Sequence, residues 1–196
     1  MSVTAGSADP RIQRSRWVIR RAALIELSET GYGPLTIEAV AARAGVGKST
    51  IYRHWAGKRA LIADALETLN EQPGSDSDDT TPVERVERLV RHFAEVSVDP
   101  VMSGCLAALI DAAERDPDLR RLHHHYSAQR RQALVRAIAD GVAAGDFPPN
   151  TDPELASLAL IGAVLYRRTM TDQPIDPTRI GGLIATVLRP PSDTKH

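Results

Sequence analysis

AARAGVGKST, residues 41 to 50, can be read in two ways, and the choice between them decides the fold. Ala42 followed by Gly47-Lys48-Ser49 fits the loose form of a phosphate-cradling loop, which would make the chain an α/β nucleotide-binding protein. Such a loop leads from a buried strand into a helix. The residues ahead of Gly47, TIEAVAARAGV, instead place apolar side chains three and four apart, the period of a helix. A nucleotide site also needs an acid for Mg²⁺, usually after an apolar strand. The one decoy is Asp111 after AALI, and its run keeps helical spacing through Leu106, Leu109 and Ala113. The stretch therefore reads as two short helices joined at Gly45.

Upstream, Ile12, Ile19, Ala22, Ala23 and Leu27 mark a helix from Arg11, ended by Gly31-Tyr32-Gly33-Pro34. Thr36 is placed to cap the second helix, whose apolar positions are Ile37, Val40, Ala41 and Ala44. A third runs from about Lys48 to Trp55, and a fourth from Lys58 to about Glu71 with Leu61, Ile62, Ala65, Leu66 and Leu69 inward. Downstream of the turn-forming tract QPGSDSDDTT, helical period returns at about 82–97, 101–115, 117–144, 152–171 and 176–188. Pro82, Pro117, Pro153 and Pro177 stand near first positions, where a missing N–H is harmless. The expected fold is all-α with about nine helices. Its parts are a disordered tail (1–10), a helix-turn-helix domain with connecting helix 4 (11–71), a linker (72–81), a C-terminal helical domain (82–190) and a tail (191–196).

Charge divides the chain at a similar place. Residues 1–60 carry ten Lys/Arg against four Asp/Glu, while the remainder carries fourteen against twenty-one. A basic first third on an acidic body fits a module that binds a polyanion and a body that stays off it. Two of only three lysines, Lys48 and Lys58, fall in the decisive segment. The single Cys105 forms no internal disulfide and suits a reducing compartment. The longest near-uninterrupted apolar run, LALIGAVLY, is nine residues, too short to span a membrane. With no apolar stretch near the N-terminus for a signal peptide, the expected location is the cytoplasm. No Ser/His/Asp set, paired carboxylates or metal-ligand spacing suggests an enzyme, and no cofactor is called for. His123-His124-His125 project about 100° apart on a helix and cannot converge on one metal.

A seven-residue helix, a glycine turn and a second short helix make a helix-turn-helix. Gly45 supplies the left-handed turn, Ala41 and Ala44 let the helices cross closely, and Val46 and Ile51 fill the space between. Lys48, Ser49, Tyr52 and Arg53 are left pointing outward, on a helix that can enter a major groove.

Residues 19–61 resemble the DNA-binding domain of the TetR (tetracycline repressor) family of bacterial transcription regulators. The resemblance rests on Gly31-Tyr32, Leu35-Thr36-Ile37, Val40-Ala41, Ala44-Gly45-Val46, Thr50-Ile51-Tyr52, His54-Trp55, and Lys58 with Leu61. Gly47 departs from the family, which more often has a capping serine there. The resemblance implies that Thr36 touches a phosphate and that Lys48, Ser49, Thr50 and Arg53 lie nearest the bases. It further implies that Tyr52 and His54 press on the sugar-phosphate backbone and that Lys58 pairs with a phosphate. Gly104-Cys105, the AAERDPDL segment and Tyr166-Arg167 resemble one common branch of these regulators.

For the acidic body, the family implies a ligand-sensing and dimerising domain. Phe93, Met102, Cys105, Leu106, Leu109, Tyr126, Tyr166 and Met170 could line a pocket for a small apolar or amphipathic effector, and would serve equally as core. Leu155, Leu158, Ile161, Gly162 and Leu165 form one stripe, and Ile180, Ile184 and Val187 another. Two copies could pair these into a four-helix bundle, as the family does, although the stripes could also pack inward. The implied function is a ligand-responsive regulator, binding palindromic double-stranded operator DNA as a homodimer. The alternative is a DNA-binding factor with no small-molecule trigger.

Overall fold

The computed structural model describes residues 10–68, 80–171 and 173–188. The expected tails outside that range, the end of the fourth helix with Leu69, and linker residues 72–79 lie outside the described residues. Among the described residues the chain is all-α. Its helices are α1 (Pro10–Thr30), α2 (Ile37–Ala44), α3 (Lys48–His54), α4 (Lys58–Glu67), α5 (Pro82–Val98), α6 (Pro100–Arg115), α7 (Pro117–Ala144), α8 (Pro153–Met170) and α9 (Ile180–Leu188). No single helix among them is long and apolar enough to cross a membrane.

Local chemistry sets the starts. Thr81 and Glu84 form a reciprocal capping box ahead of Pro82, and Asp152 accepts from the backbone N–H groups of Glu154 and Leu155 ahead of α8. The ninth helix departs from the expected 176–188. Asp176 caps Thr178 N at 2.8 Å and its carbonyl accepts from Arg179 N at 2.9 Å, so Pro177–Arg179 winds as a tighter 3₁₀ turn before α9 begins.

The helices pack as two units. The first holds α1 to α4 together with Gly104–His123; the second holds the rest from α5 onward, including residues 124–188. In the first, Ile19, Leu27, Leu35, Ile51, Leu61, Ile62 and Leu66 are wholly buried. Gly104 is required by a close approach, since a Cβ there would lie 2.8 Å from the Ser28 carbonyl oxygen. Next to it, the Cys105 thiol donates to the Leu24 carbonyl at 3.1 Å.

The core of the second unit gathers Val86 and Val90 of α5, Leu134 and Ile138 of α7, Leu160 and Val164 of α8, and Ile180, Ile184 and Leu188 of α9. Phe147 lies on α7 at Gly141, where a Cβ would come within 2.3 Å of the ring. Ile180 and Ile184, expected on a dimer face, are 0 % and 7 % exposed within the single chain. The stripe they form is the inward face of α9. On α8 the inward stripe is Ala156, Leu160 and Val164, whereas Leu155, Leu158, Gly162, Tyr166 and Met170 are exposed. Ile161 and Val187 are partly buried against the core, and Leu165 is half-buried.

Candidate nucleic-acid interface

α2 and α3 are placed by a few specific residues. The Thr36 hydroxyl accepts from Ala39 N at 3.1 Å and starts α2. Gly45, at φ +66°, stops it: its N–H and that of Val46 return to the carbonyls of Ala42 and Ala41 at 3.2 and 3.0 Å. Left-handed backbone of this kind costs a side chain ~1–2 kcal/mol. Gly47 then starts α3 with no side-chain cap. Val40, Ala41 and Ile51 are buried, so α3 is pinned by its inner face.

The outer face of α3 carries Lys48, Ser49, Tyr52 and Arg53, all exposed, with Thr50 and His54 half-buried and Thr36 exposed at the start of α2. The structure thus brings seven of the eight expected DNA-contacting residues onto α3 and the cap of α2. Lys48 Nζ donates to Glu38 Oε1 at 2.9 Å. The hydrogen bond holds the Lys48 pKa up and the Glu38 pKa down. Both groups are in water, which screens the pair and leaves Lys48 free to exchange partners.

The eighth residue, Lys58, is differently engaged. Its ammonium donates to the carbonyls of Tyr32, Gly33 and Leu35 at 2.9, 3.0 and 3.1 Å, and lies 4.6 Å from the centroid of the Tyr32 ring.

Behind α3 lies a polar hub that sequence reasoning missed. Asp64 of α4 accepts from Arg20 Nε and Nη2 at 2.8 and 2.7 Å, from Arg16 Nη2 at 3.2 Å, and from Trp55 Nε1 at 2.7 Å. Burial pushes the Asp64 pKa up, but hydrogen bonds from Arg20, Trp55 and Arg16 and the Arg20 charge outweigh it, and the net shift is downward. Trp55 is buried, with His54 edge-on to it at 5.5 Å between ring centroids. The end of α3 is therefore tied to α1 and α4. The available signal was Asp64 standing within the apolar stripe Leu61, Ile62, Ala65, with two arginines four apart on α1.

The residues expected to line a pocket are dispersed. Cys105 and Leu109 are buried in the first unit, and Leu106 there is half-buried. In the second unit, the Arg130 guanidinium lies over the rings of Phe93 and Tyr126 at 5.7 and 5.6 Å and donates to the Tyr126 hydroxyl at 2.8 Å. Met102 is half-buried. Tyr166 and Met170 are 63 % and 72 % exposed on the outward stripe of α8, the inward positions being filled by Leu160 and Val164. An open groove of about 710 Å³ runs between α8 and α9, lined by Ala163, Arg167, Ile175, Arg179, Leu183 and Thr186 among others; none was expected. Among the described residues, no three His, Cys, Asp or Glu side chains group as a metal site.

Residues 19–65 match the family described as bacterial regulatory proteins, tetR family, and residues 77–187 match the tetracyclin repressor-like C-terminal domain. An uncharacterised HTH-type transcriptional regulator of Mycobacterium tuberculosis is 33 % identical over 144 residues, covering 72 % of this chain and 67 % of that protein. A DNA-binding transcriptional repressor, TetR, of Mycobacteroides abscessus is 28 % identical over 171 residues, 85 % of this chain and 87 % of its own. Among solved structures, the regulator FadR of Bacillus subtilis in complex with stearoyl-CoA superposes with a TM-score of 0.69 at 20 % identity, over 87 % of this chain and 96 % of FadR. The matches span both the helix-turn-helix and the helices that follow it, and this family is made up of transcriptional regulators rather than enzymes. The chain belongs to the TetR family of transcriptional regulators and carries its helix-turn-helix DNA-binding domain.

Proposed function

We propose that the protein is a ligand-responsive repressor that binds a palindromic operator as a homodimer and is released from it by a small apolar or amphipathic effector. The observation that carries the DNA-binding part is the outer face of α3, where Lys48, Ser49, Tyr52 and Arg53 stand in water on a helix held by buried Ile51. In this reading α3 enters the major groove, Lys48, Ser49, Thr50 and Arg53 reach base edges, and Thr36, Tyr52 and His54 meet the backbone. The paired surface is the outward stripe of α8, Leu155, Leu158, Gly162 and Tyr166, with Leu165 and Val187 at its margins. FadR holds stearoyl-CoA, so the fold accommodates an amphipathic molecule. The cytoplasm is the location such a regulator requires.

The test is selection of duplexes from a random library. Wild type enriches a two-fold symmetric site, and Lys48→Ala or Arg53→Ala changes the preferred bases within each half, with a loss of about 1–3 kcal/mol on the wild-type site. If no duplex is enriched, the DNA-reading assignment fails.

A further inference from the structure

Glu38 is the only acid between Gly31 and Ala60, a segment that holds Arg43, Lys48, Arg53, Lys58 and Arg59. It stands exposed in the first turn of α2, beside the face proposed to meet DNA. A lone carboxylate there would be repelled by the phosphates. It is not alone: Lys48, in the first turn of α3, donates to its Oε1 at 2.9 Å. Stability does not account for the pair. The Lys48 and Glu38 side chains are 55 % and 60 % exposed, and an ion pair in water contributes little to folding.

The pair sets an acceptor and a donor side by side, and the major groove presents the complement. A C·G pair offers the cytosine N4 amino group as donor and guanine O6 as acceptor; an A·T pair offers adenine N6 and thymine O4. In either pair these two groups are hydrogen-bonded to each other, so they lie about 2.9–3.0 Å apart. That is the spacing of the Glu38–Lys48 pair. Their neighbours decide between the two. Beside guanine O6 stands N7, a second acceptor, and the Lys48 ammonium keeps two hydrogens after serving Glu38. Beside thymine O4 stands a methyl group, which accepts nothing. On the Glu38 side, adenine N7 would set its lone pair against a carboxylate, whereas cytosine brings no acceptor there. Only C·G satisfies both side chains.

We infer that Glu38 is a specificity-determining residue: with Lys48 it reads one base pair in each half-site, cytosine toward Glu38 and guanine toward Lys48. The inference rests on the DNA-binding reading and adds to it a residue of α2 and a base identity. Glu38 also aims its partner. A lysine ammonium is a point charge on a flexible stem, and a fixed acceptor on α2 turns its remaining hydrogens toward one base.

The duplexes enriched from a random library supply the test. Wild type should select C·G at one position of each half-site, and Glu38→Ala and Lys48→Ala should both relax the preference at that position. Replacing the pair there by A·T should cost wild type about 5–150-fold in affinity and Glu38→Ala little. A 7-deazaguanine at the same place, which lacks the N7 acceptor, should weaken wild type but not Lys48→Ala. Glu38→Gln, whose amide accepts from adenine N6 and donates to N7, should move the choice from cytosine to adenine. Each variant should melt within about 2 °C of wild type. The inference is overturned if Glu38→Ala changes no base preference, whatever its melting temperature, or if it and Lys48→Ala act at different positions. It is also overturned if Glu38→Ala merely tightens all duplexes alike, the mark of a carboxylate that only repels phosphate. If wild type enriches no duplex, the DNA-reading proposal fails and this inference falls with it. Enrichment that ignores Glu38 sinks this inference alone.

Discussion

Asp64 concentrates more hydrogen bonds than any side chain around α3. Two arginines and an indole converge on one carboxylate whose side chain is 20 % exposed. Asp64→Asn would replace an acceptor-only anion by an amide that must turn its NH₂ toward one of these donors. We expect it to cost about 1.5–3 kcal/mol of stability, read by chemical denaturation, and to weaken operator binding by loosening Trp55 at the end of α3. The pH dependence has a definite sign. The folded pKa lies below the unfolded value, so the stabilisation is complete above the ordinary aspartate range and is lost as pH falls through the folded value. Wild type should therefore lose melting temperature more steeply than Asp64→Asn below about pH 4. Equal slopes would show that the Asp64 carboxylate does not supply this pH-dependent stability. Such a hub is hard to read in sequence because an acid on a helix is usually solvated, and its partners lie 44 and 48 residues away.

Elements were legible where special residues punctuate them. Thr36 as cap, Gly45 as stop and Gly31 before the turn gave α1, α2 and α3 their bounds, since each meets a backbone requirement that few residues satisfy. The inner and outer faces of α3 followed from Ile51 alone. α9 was not legible in the same way: IGGLIATVL is apolar almost throughout, so periodicity names no unique face, and Ile180, Ile184 and Val187 read as an interface although the buried row is Ile180, Ile184 and Leu188. α8 carries two apolar stripes, and only burial separates them. The two helices now give opposite expectations. Leu158→Glu should yield a folded monomer by sedimentation, with melting little changed and operator affinity reduced about 10²–10⁴-fold by loss of bivalent binding. Ile184→Ala should leave the dimer assembled but cost about 2–5 kcal/mol by denaturation. If Leu158→Glu remains dimeric, the α8 face is not where two copies meet.

For the whole molecule, the proposed release by an effector is a statement about linked equilibria. Two reading heads on successive major grooves must sit about 34–36 Å apart. A ligand that favours any other separation shifts population away from the DNA-competent state. A coupling of ~1–3 kcal/mol is enough to lower affinity about 5–150-fold, and operator must then weaken effector binding by the same factor. A screen of apolar and amphipathic compounds should find one that raises the melting temperature and shows that reciprocal penalty in calorimetry. Ligands that bind equally well with and without operator would leave a DNA-binding factor controlled in some other way. The body gave the sequence little to hold on to, because a helical core and a ligand pocket are lined by the same residue types. Phe93 and Tyr126 proved to share Arg130, and Tyr166 and Met170 proved to face outward.

The placement of Gly104–His123 with the first four helices also bears on how such a protein can be inherited in pieces. A crossover in the gene near residue 70 would transmit α1 to α4 but leave Gly104, Cys105 and Leu109 in the other parent, so Ser28 and Leu24 would meet that parent's residues instead. A crossover after His123 would keep that unit whole, yet carry α5 away from the core it shares with α8 and α9. No single exchange leaves both units intact. New pairings of the two units must therefore arise by double exchange, whereas the exposed outer face of α3 can change by substitution without disturbing a core.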